Sequence, residues 1–326
     1  MNPRKFFAPT AAVSAAALLA LGVAACGDDS DSSSETGGDT PTGLSGTIRI
    51  DGSSTVAPLS EAVAEGFQQE NPDVRVTVGT AGTSGGFERF CAGETDFNDA
   101  SREIEPEEEK LCADGGVETE GVQVAVDALT VVGNPENPVT CLSIDQLAEI
   151  WGPEGTATSW GDVTDLDAEF TEEIARYGPG TDSGTFDYFT DAVNGEEGVQ
   201  TKDYNNVGED DNATVTGVSG DPGGIGYFGY SFYIENEDSL KAFEVDGGDG
   251  CVAPSVETAQ DGSYAPLARP LFIYPNNEVF DDEVQTAFID YYLANVNTAA
   301  ETLGFIPLTE EQLAESEDTL ASLEGK

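Results

Sequence analysis

The chain has 326 residues, 38% of them hydrophobic, which is enough for about two domains with cores of their own. Its 63 acidic against 12 basic residues give a net charge of −51. That excludes nucleic acid and anionic membrane surfaces as partners, since both demand clustered Lys and Arg; the absence of any His removes Ser-His-Asp triads, Cys-His pairs and HExxH zinc sites.

The N-terminus reads as an export signal. Arg4 and Lys5 form a positive start, and an Ala-rich apolar stretch from Ala11 to Ala25 follows. Its uninterrupted part falls short of the roughly 20 apolar residues a spanning helix needs. It ends in Val23-Ala24-Ala25-Cys26-Gly27, a bacterial lipobox pattern, so residues 1–25 are expected to be removed and Cys26 to carry lipid. The Asp, Ser, Gly and Thr that dominate residues 26–45 make a polar tether. The expected location is the extracytoplasmic face of the cell membrane, held by the lipid alone.

With Cys26 lipidated, Cys91, Cys112, Cys141 and Cys251 remain, an even number in an exported chain. Three pairings are open. The short local loop favours Cys91–Cys112, which leaves Cys141–Cys251. Zinc is the competing reading, but there is no CxxC and no His, so no metal is expected. The acids are spread along the whole chain and read as a solvated surface suited to high salt, not as a calcium site.

Folded sequence begins near Ser45. Gly46 to Gly52 predicts a strand stopped by glycine, and Ser53-Ser54-Thr55 leads into a helix through Leu59, Val63 and Phe67. Asn71-Pro72 ends it. Val74 to Val78 alternates as a second strand, followed by the Gly/Thr/Ser loop 79–86 and a helix around Phe87 and Phe90. The same order recurs after Ile174 to Tyr177, where the loop 178–185 opens a helix at Phe186. Strands alternating with helices predict an α/β fold with largely parallel sheets. Two extended apolar segments, 122–132 and 269–274, read as passages between lobes. The expected division is lobe 1 from 46–126 and 268–326, and lobe 2 from 127–267, with the ligand in the cleft between them.

A helix N-terminus offers unpaired N–H groups and a partial positive charge, so it binds anions without needing Lys. Hydroxyls add donors, and glycine lets an anion approach the backbone. Three such loops could converge on one small oxyanion, with Arg102 of Ala100-Ser101-Arg102 as a cation beside them.

Taken together, Gly52-Ser53-Ser54-Thr55-Val56-Ala57-Pro58, Gly82-Thr83-Ser84-Gly85-Gly86, Ala100-Ser101-Arg102 and Gly180-Thr181-Asp182-Ser183-Gly184-Thr185-Phe186 resemble the phosphate-binding proteins of phosphate ABC transporters. Pro222 to Tyr227 and Arg269-Pro270-Leu271 fit the same family, and the resemblance spans about residues 46–308. It implies a class II binding-protein fold, two α/β lobes joined by two hinge strands, closing over phosphate. The implied ligand set is Ser54, Thr55, Thr83, Ser84, Ser183, Gly184 and Thr185. Many members carry an Asp where this chain has Arg102, and an Arg where it has Pro179. The cationic contact is therefore expected at Arg102, and the acceptor of the phosphate proton at Asp182, or failing that Asp51. The implied role is a monomeric transport receptor, not an enzyme, with no cofactor, that delivers phosphate to an ABC transporter permease. A sulfate or molybdate receptor, a phosphate sensor or adhesin, and an exported hydrolase using Ser183 are the other readings; the last lacks a His and a Ser-x-x-Lys pair.

Overall fold

A computed structural model of the chain describes residues 43–155 and 157–325. The expected leader, the lipidated Cys26 and the tether up to residue 42 lie outside the described residues. Strand β1 (Ser45–Gly52) buries Ile48 and Ile50 and leaves Thr47 and Arg49 outside, the period-2 alternation of a half-covered strand. Helix α1 (Ala57–Glu70) has Pro58 in its first turn and puts Leu59, Val63 and Phe67 on one buried stripe. Asn71 ends it, returning both its backbone and side-chain N–H groups to the Phe67 carbonyl. Strand β2 (Asp73–Val78), helix α2 (Thr83–Cys91) and strand β3 (Phe97–Ala100) follow, with β1 parallel to both strands. Helix α3 (Pro106–Gly115) starts in a reciprocal capping box between Glu105 and Glu108.

Strand β4 (Val122–Gly133) is long because it serves both halves of the molecule. Its beginning pairs antiparallel with β12 (Ala268–Pro275), and its end pairs antiparallel with β8 (Gly224–Gly229). Between β4 and β12 the chain builds β5 (Cys141–Ser143), α4 (Ile144–Trp151), β6 (Ala175–Gly178), α5 (Gly184–Asn194), β7 (Asn205–Asn206), α6 (Asp211–Gly220), β8 and α7 (Tyr230–Asn236). Short strands β9 (Lys241–Ala242), β10 (Glu244–Asp246) and β11 (Cys251–Val252) and helix α8 (Val256–Gln260) complete that segment, and α9 (Glu283–Leu303) and α10 (Glu310–Glu324) close the chain. The main sheet runs β2-β1-β3-β12-β4-β8-β6-β7, so β12 and β4 sit at its centre.

Two separate large cores flank those central strands. The first joins residues from both ends of the described chain, Ile48 to Ala125 and Leu271 to Leu320, and α9 packs on α1 with Phe288 edge-on to Phe67 at 5.4 Å. The second comes from the middle, Leu129 to Leu267, around Trp151, Phe189 and Tyr227. Cys91 is bonded to Cys112, tying α2 to α3, and Cys141 to Cys251, tying β5 to β11. These are the pairings expected from the sequence. Among the described residues, no helix is long and apolar enough to cross a membrane.

Candidate functional site

The first loop is held open by the strand beneath it. The Asp51 carboxylate is buried and accepts from the Gly52 and Ala81 N–H groups, both at 2.9 Å, and from the Arg89 guanidinium. This one group ties loops 1 and 2 and helix α2 together. Gly52 has φ +136°, and a Cβ there would lie 2.1 Å from the Asp99 carbonyl, so only glycine fits the turn. The Ser53 N–H bonds that same carbonyl at 2.8 Å, and Ser53 Oγ accepts from the Thr55 N–H at 3.2 Å. Ser54 and Thr55 are thereby presented at the strand ends.

The second loop opens helix α2, whose start at Gly82 has no side-chain cap. The same is true of the starts of α1 and α5, the other helices that follow Ser/Thr/Gly loops. Helices α4, α9 and α10 are capped by Ser143, Asp282 and Thr309. At α2 and α5 the uncapped first turn keeps N–H groups and the positive end of the helix dipole available to a ligand, whereas at α1 the Ala57 and Leu59 N–H groups donate to the Ser53 and Val56 carbonyls and Pro58 has none. Thr83 Oγ1 lies 3.2 Å from Ser101 Oγ and accepts from the Ser101 N–H, which joins this loop to the end of β3.

Ser54, Thr55, Thr83, Ser84 and Arg102 line one cleft of about 500 Å³. Its opposite side is formed by Asp187, Tyr188 and Asp191 of α5 and by Glu197, with Arg269 of β12 beside them. Burial raises the Asp187 carboxyl above its ordinary range, with Arg269 opposing the rise. Burial also raises Glu197, and Asp187 and Asp191 add to the effect.

Arg102 is heavily engaged. Its two terminal nitrogens donate to the two Glu108 oxygens at 2.8 Å each, one of them also donates to Ser84 Oγ at 2.9 Å, and Nε lies 3.3 Å from Glu105. The third loop sits at the edge of the cleft. Gly184 abuts Thr55, its Cβ position being 3.5 Å from Thr55 Oγ1, but none of Asp182, Ser183, Gly184 and Thr185 lines the cleft. Asp182 is exposed and folds back against Gly180, and Ser183 is buried.

The sequence profile of the PBP superfamily domain matches residues 37–296. The chain belongs to the PBP superfamily. This PBP-superfamily chain is 45% identical over 264 residues to Protein SphX of Synechococcus elongatus, covering 80% of its own length and 77% of that protein. It is 37% identical to the phosphate-binding protein PstS of Staphylococcus saprophyticus, covering 97% and 94%. The crystal structure of a possible phosphate binding protein from Planctomyces limnophilus superposes with a TM-score of 0.82 at 38% identity, over 86% of this chain and 99% of that one. The fold is accordingly the two-lobed α/β binding-protein fold, with β4 and β12 passing between the lobes.

The sequence reading of this PBP-superfamily protein missed Asp187, Asp191, Glu197 and Arg269. Asp187 and Asp191 carry a sequence signal of their own: acids four apart, on one face of a helix that follows a Gly/Ser/Thr loop. Arg269 was visible as part of an extended segment, but nothing local says that its side chain reaches Thr55, 214 positions away.

Proposed function

We propose that this protein is an extracytoplasmic receptor that takes inorganic phosphate into the cleft between its lobes and hands it to the permease of an ABC transporter. The observation that carries the reading is the donor set: in a chain of net charge −51, one cleft gathers the hydroxyls of Ser54, Thr55, Thr83 and Ser84 around the uncapped start of α2. Such a set binds a desolvated oxyanion through directed hydrogen bonds. Relatives named phosphate-binding protein point to phosphate as the oxyanion.

The lobes are residues 46–126 with 268–326, and 127–267. Closure about β4 and β12 brings Ser183, Gly184 and Thr185, at the uncapped start of α5, onto the anion held by the first two loops. Asp187 accepts the proton that phosphate retains near neutral pH. It lines the cleft, whereas Asp182 does not and Asp51 is occupied by Gly52, Ala81 and Arg89. Arg102, paired with Glu108, holds Ser84 Oγ in place at the cleft wall. The receptor acts as a monomer tethered through lipidated Cys26 and turns nothing over.

Radiolabelled phosphate capture tests this. The purified protein retains one equivalent of phosphate, and a large excess of sulfate leaves it in place. A protein that retains none, or that yields it to sulfate, refutes the phosphate assignment.

A further inference from the structure

Two cations line the cleft, and they differ in what already neutralises them. Arg102 faces both oxygens of Glu108 and lies beside Glu105, so little of its charge is left for a ligand. Among the described residues Arg269 has one carboxylate within ion-pair distance, Asp127 at 3.4 Å, at the long end of hydrogen bonding. Among the described residues its Nε is buried without a partner. An unsatisfied guanidinium N–H in a closed environment costs free energy until an acceptor arrives.

The position of Arg269 connects every part of the receptor. It lies on β12, directly opposite Asp127 of β4 in the strand register, so it joins the two strands that link the lobes. One terminal nitrogen donates to Thr55 Oγ1 at 3.0 Å, in the first anion loop. Its guanidinium stacks on the Tyr188 ring of α5 at 3.6 Å, and the Tyr188 hydroxyl donates to the Pro266 carbonyl at 2.8 Å. Burial raises the Asp127 carboxyl, and Arg269 pulls it back down.

We propose that Arg269 is the cation that contacts the bound anion in this cleft, and that the anion competes with Asp127 for its guanidinium. The inference rests on the receptor reading above and adds to it the residue that supplies the charge. Binding then draws Arg269 away from the partner strand, so occupancy of the site changes a contact between the two connecting strands.

The test is calorimetry of phosphate binding to the purified, ligand-stripped protein and its variants, with melting curves taken without ligand. Arg269→Gln weakens phosphate binding by roughly a hundredfold, and Arg269→Lys, which keeps the charge but loses the planar fork, recovers part of it. Asp127→Asn removes the competitor and tightens phosphate binding severalfold, an effect in the opposite direction that a merely structural Arg269 does not produce. This variant also decides the matter if Arg269→Gln fails to fold. Wild-type binding with Arg269→Gln within threefold of it, or Asp127→Asn no tighter than wild type, overturns the assignment and leaves the receptor reading standing. A wild-type protein that binds no phosphate overturns the receptor reading and, with it, this one.

Discussion

Glu108 holds Arg102 in a two-pronged ion pair, both nitrogen–oxygen distances being 2.8 Å. The pair keeps Glu108 ionised despite its burial: desolvation pushes its carboxyl up, but the Arg102 contacts and the Glu105 N–H bring it below the ordinary range. Glu108 is also half of the capping box of α3, so the same residue starts a helix and fixes a side chain at the rim of the cleft.

Arg102→Ala is therefore expected to act more on stability than on affinity. It leaves Glu108 without its cation and frees Ser84 to rotate. Part-buried pairs of this kind contribute about 1–2 kcal/mol to folding. Phosphate affinity falls by less than tenfold, read by calorimetry beside a urea melt. A loss above a hundredfold with unchanged stability would show that Arg102 touches the ligand directly.

Thr55→Val removes a hydroxyl that faces the cleft and accepts from Arg269. Leaving a ligand oxygen and a guanidinium N–H without that partner weakens binding by about 1–3 kcal/mol, a factor of roughly 5 to 150. Titration of the two proteins side by side checks it.

Asp187→Asn separates phosphate from sulfate. A carboxylate rewards a ligand that brings a proton and repels one that does not. The amide is expected to weaken phosphate binding and strengthen sulfate binding, measured as the ratio of the two dissociation constants. An unchanged ratio would place the proton acceptor elsewhere.

Asp99 gives a pH dependence with a definite sign. It is fully buried, and burial pushes its carboxyl from the usual 3.8 up to about 8, against the Ser60 hydrogen bond and with help from Asp51. Ser60 lies in turn 3.0 Å from the Tyr292 hydroxyl. Below the unfolded value both states hold the proton. As pH rises through the window from about 4 to about 8, the unfolded chain releases it while the native state keeps it, so this group's contribution declines by about 1 kcal/mol per pH unit and then levels off. Asp99→Asn should flatten the stability profile across that window. A profile identical to wild type would mean that Asp99 does not titrate there.

The two disulfides close loops of very different length, with sequence separations of 21 for Cys91–Cys112 and 110 for Cys141–Cys251. Chain-entropy arguments give about 3 and about 5 kcal/mol. Replacing Cys141 and Cys251 with Ser should therefore lower the melting temperature more than replacing Cys91 and Cys112.

Much of this was legible in the chain. β1, β2 and α1 declare themselves by alternation and by the spacing of Leu59, Val63 and Phe67, because each buries one face against one neighbour. The first two Gly/Ser/Thr loops are readable for a local reason: a glycine-ended strand followed by hydroxyl residues and an uncapped helix is a short-range pattern. The partners of Arg102 and Arg269 were not. Glu108 reaches Arg102 through the turn that starts α3, and Arg269 meets Thr55 only once β12 has been inserted between β3 and β4. Side-chain pairing across a sheet depends on strand order, which no local pattern encodes. The third loop shows the same limit, since Asp182 folds back against Gly180 while Asp187, in the first turn of α5, lines the cleft.

Isothermal calorimetry of the purified, ligand-stripped protein against phosphate, sulfate and molybdate, at two pH values in high salt, tests the central claim most directly. One-to-one phosphate binding with little response to sulfate or molybdate is the predicted result. Preference for sulfate or molybdate, or no heat with any of the three, would contradict it.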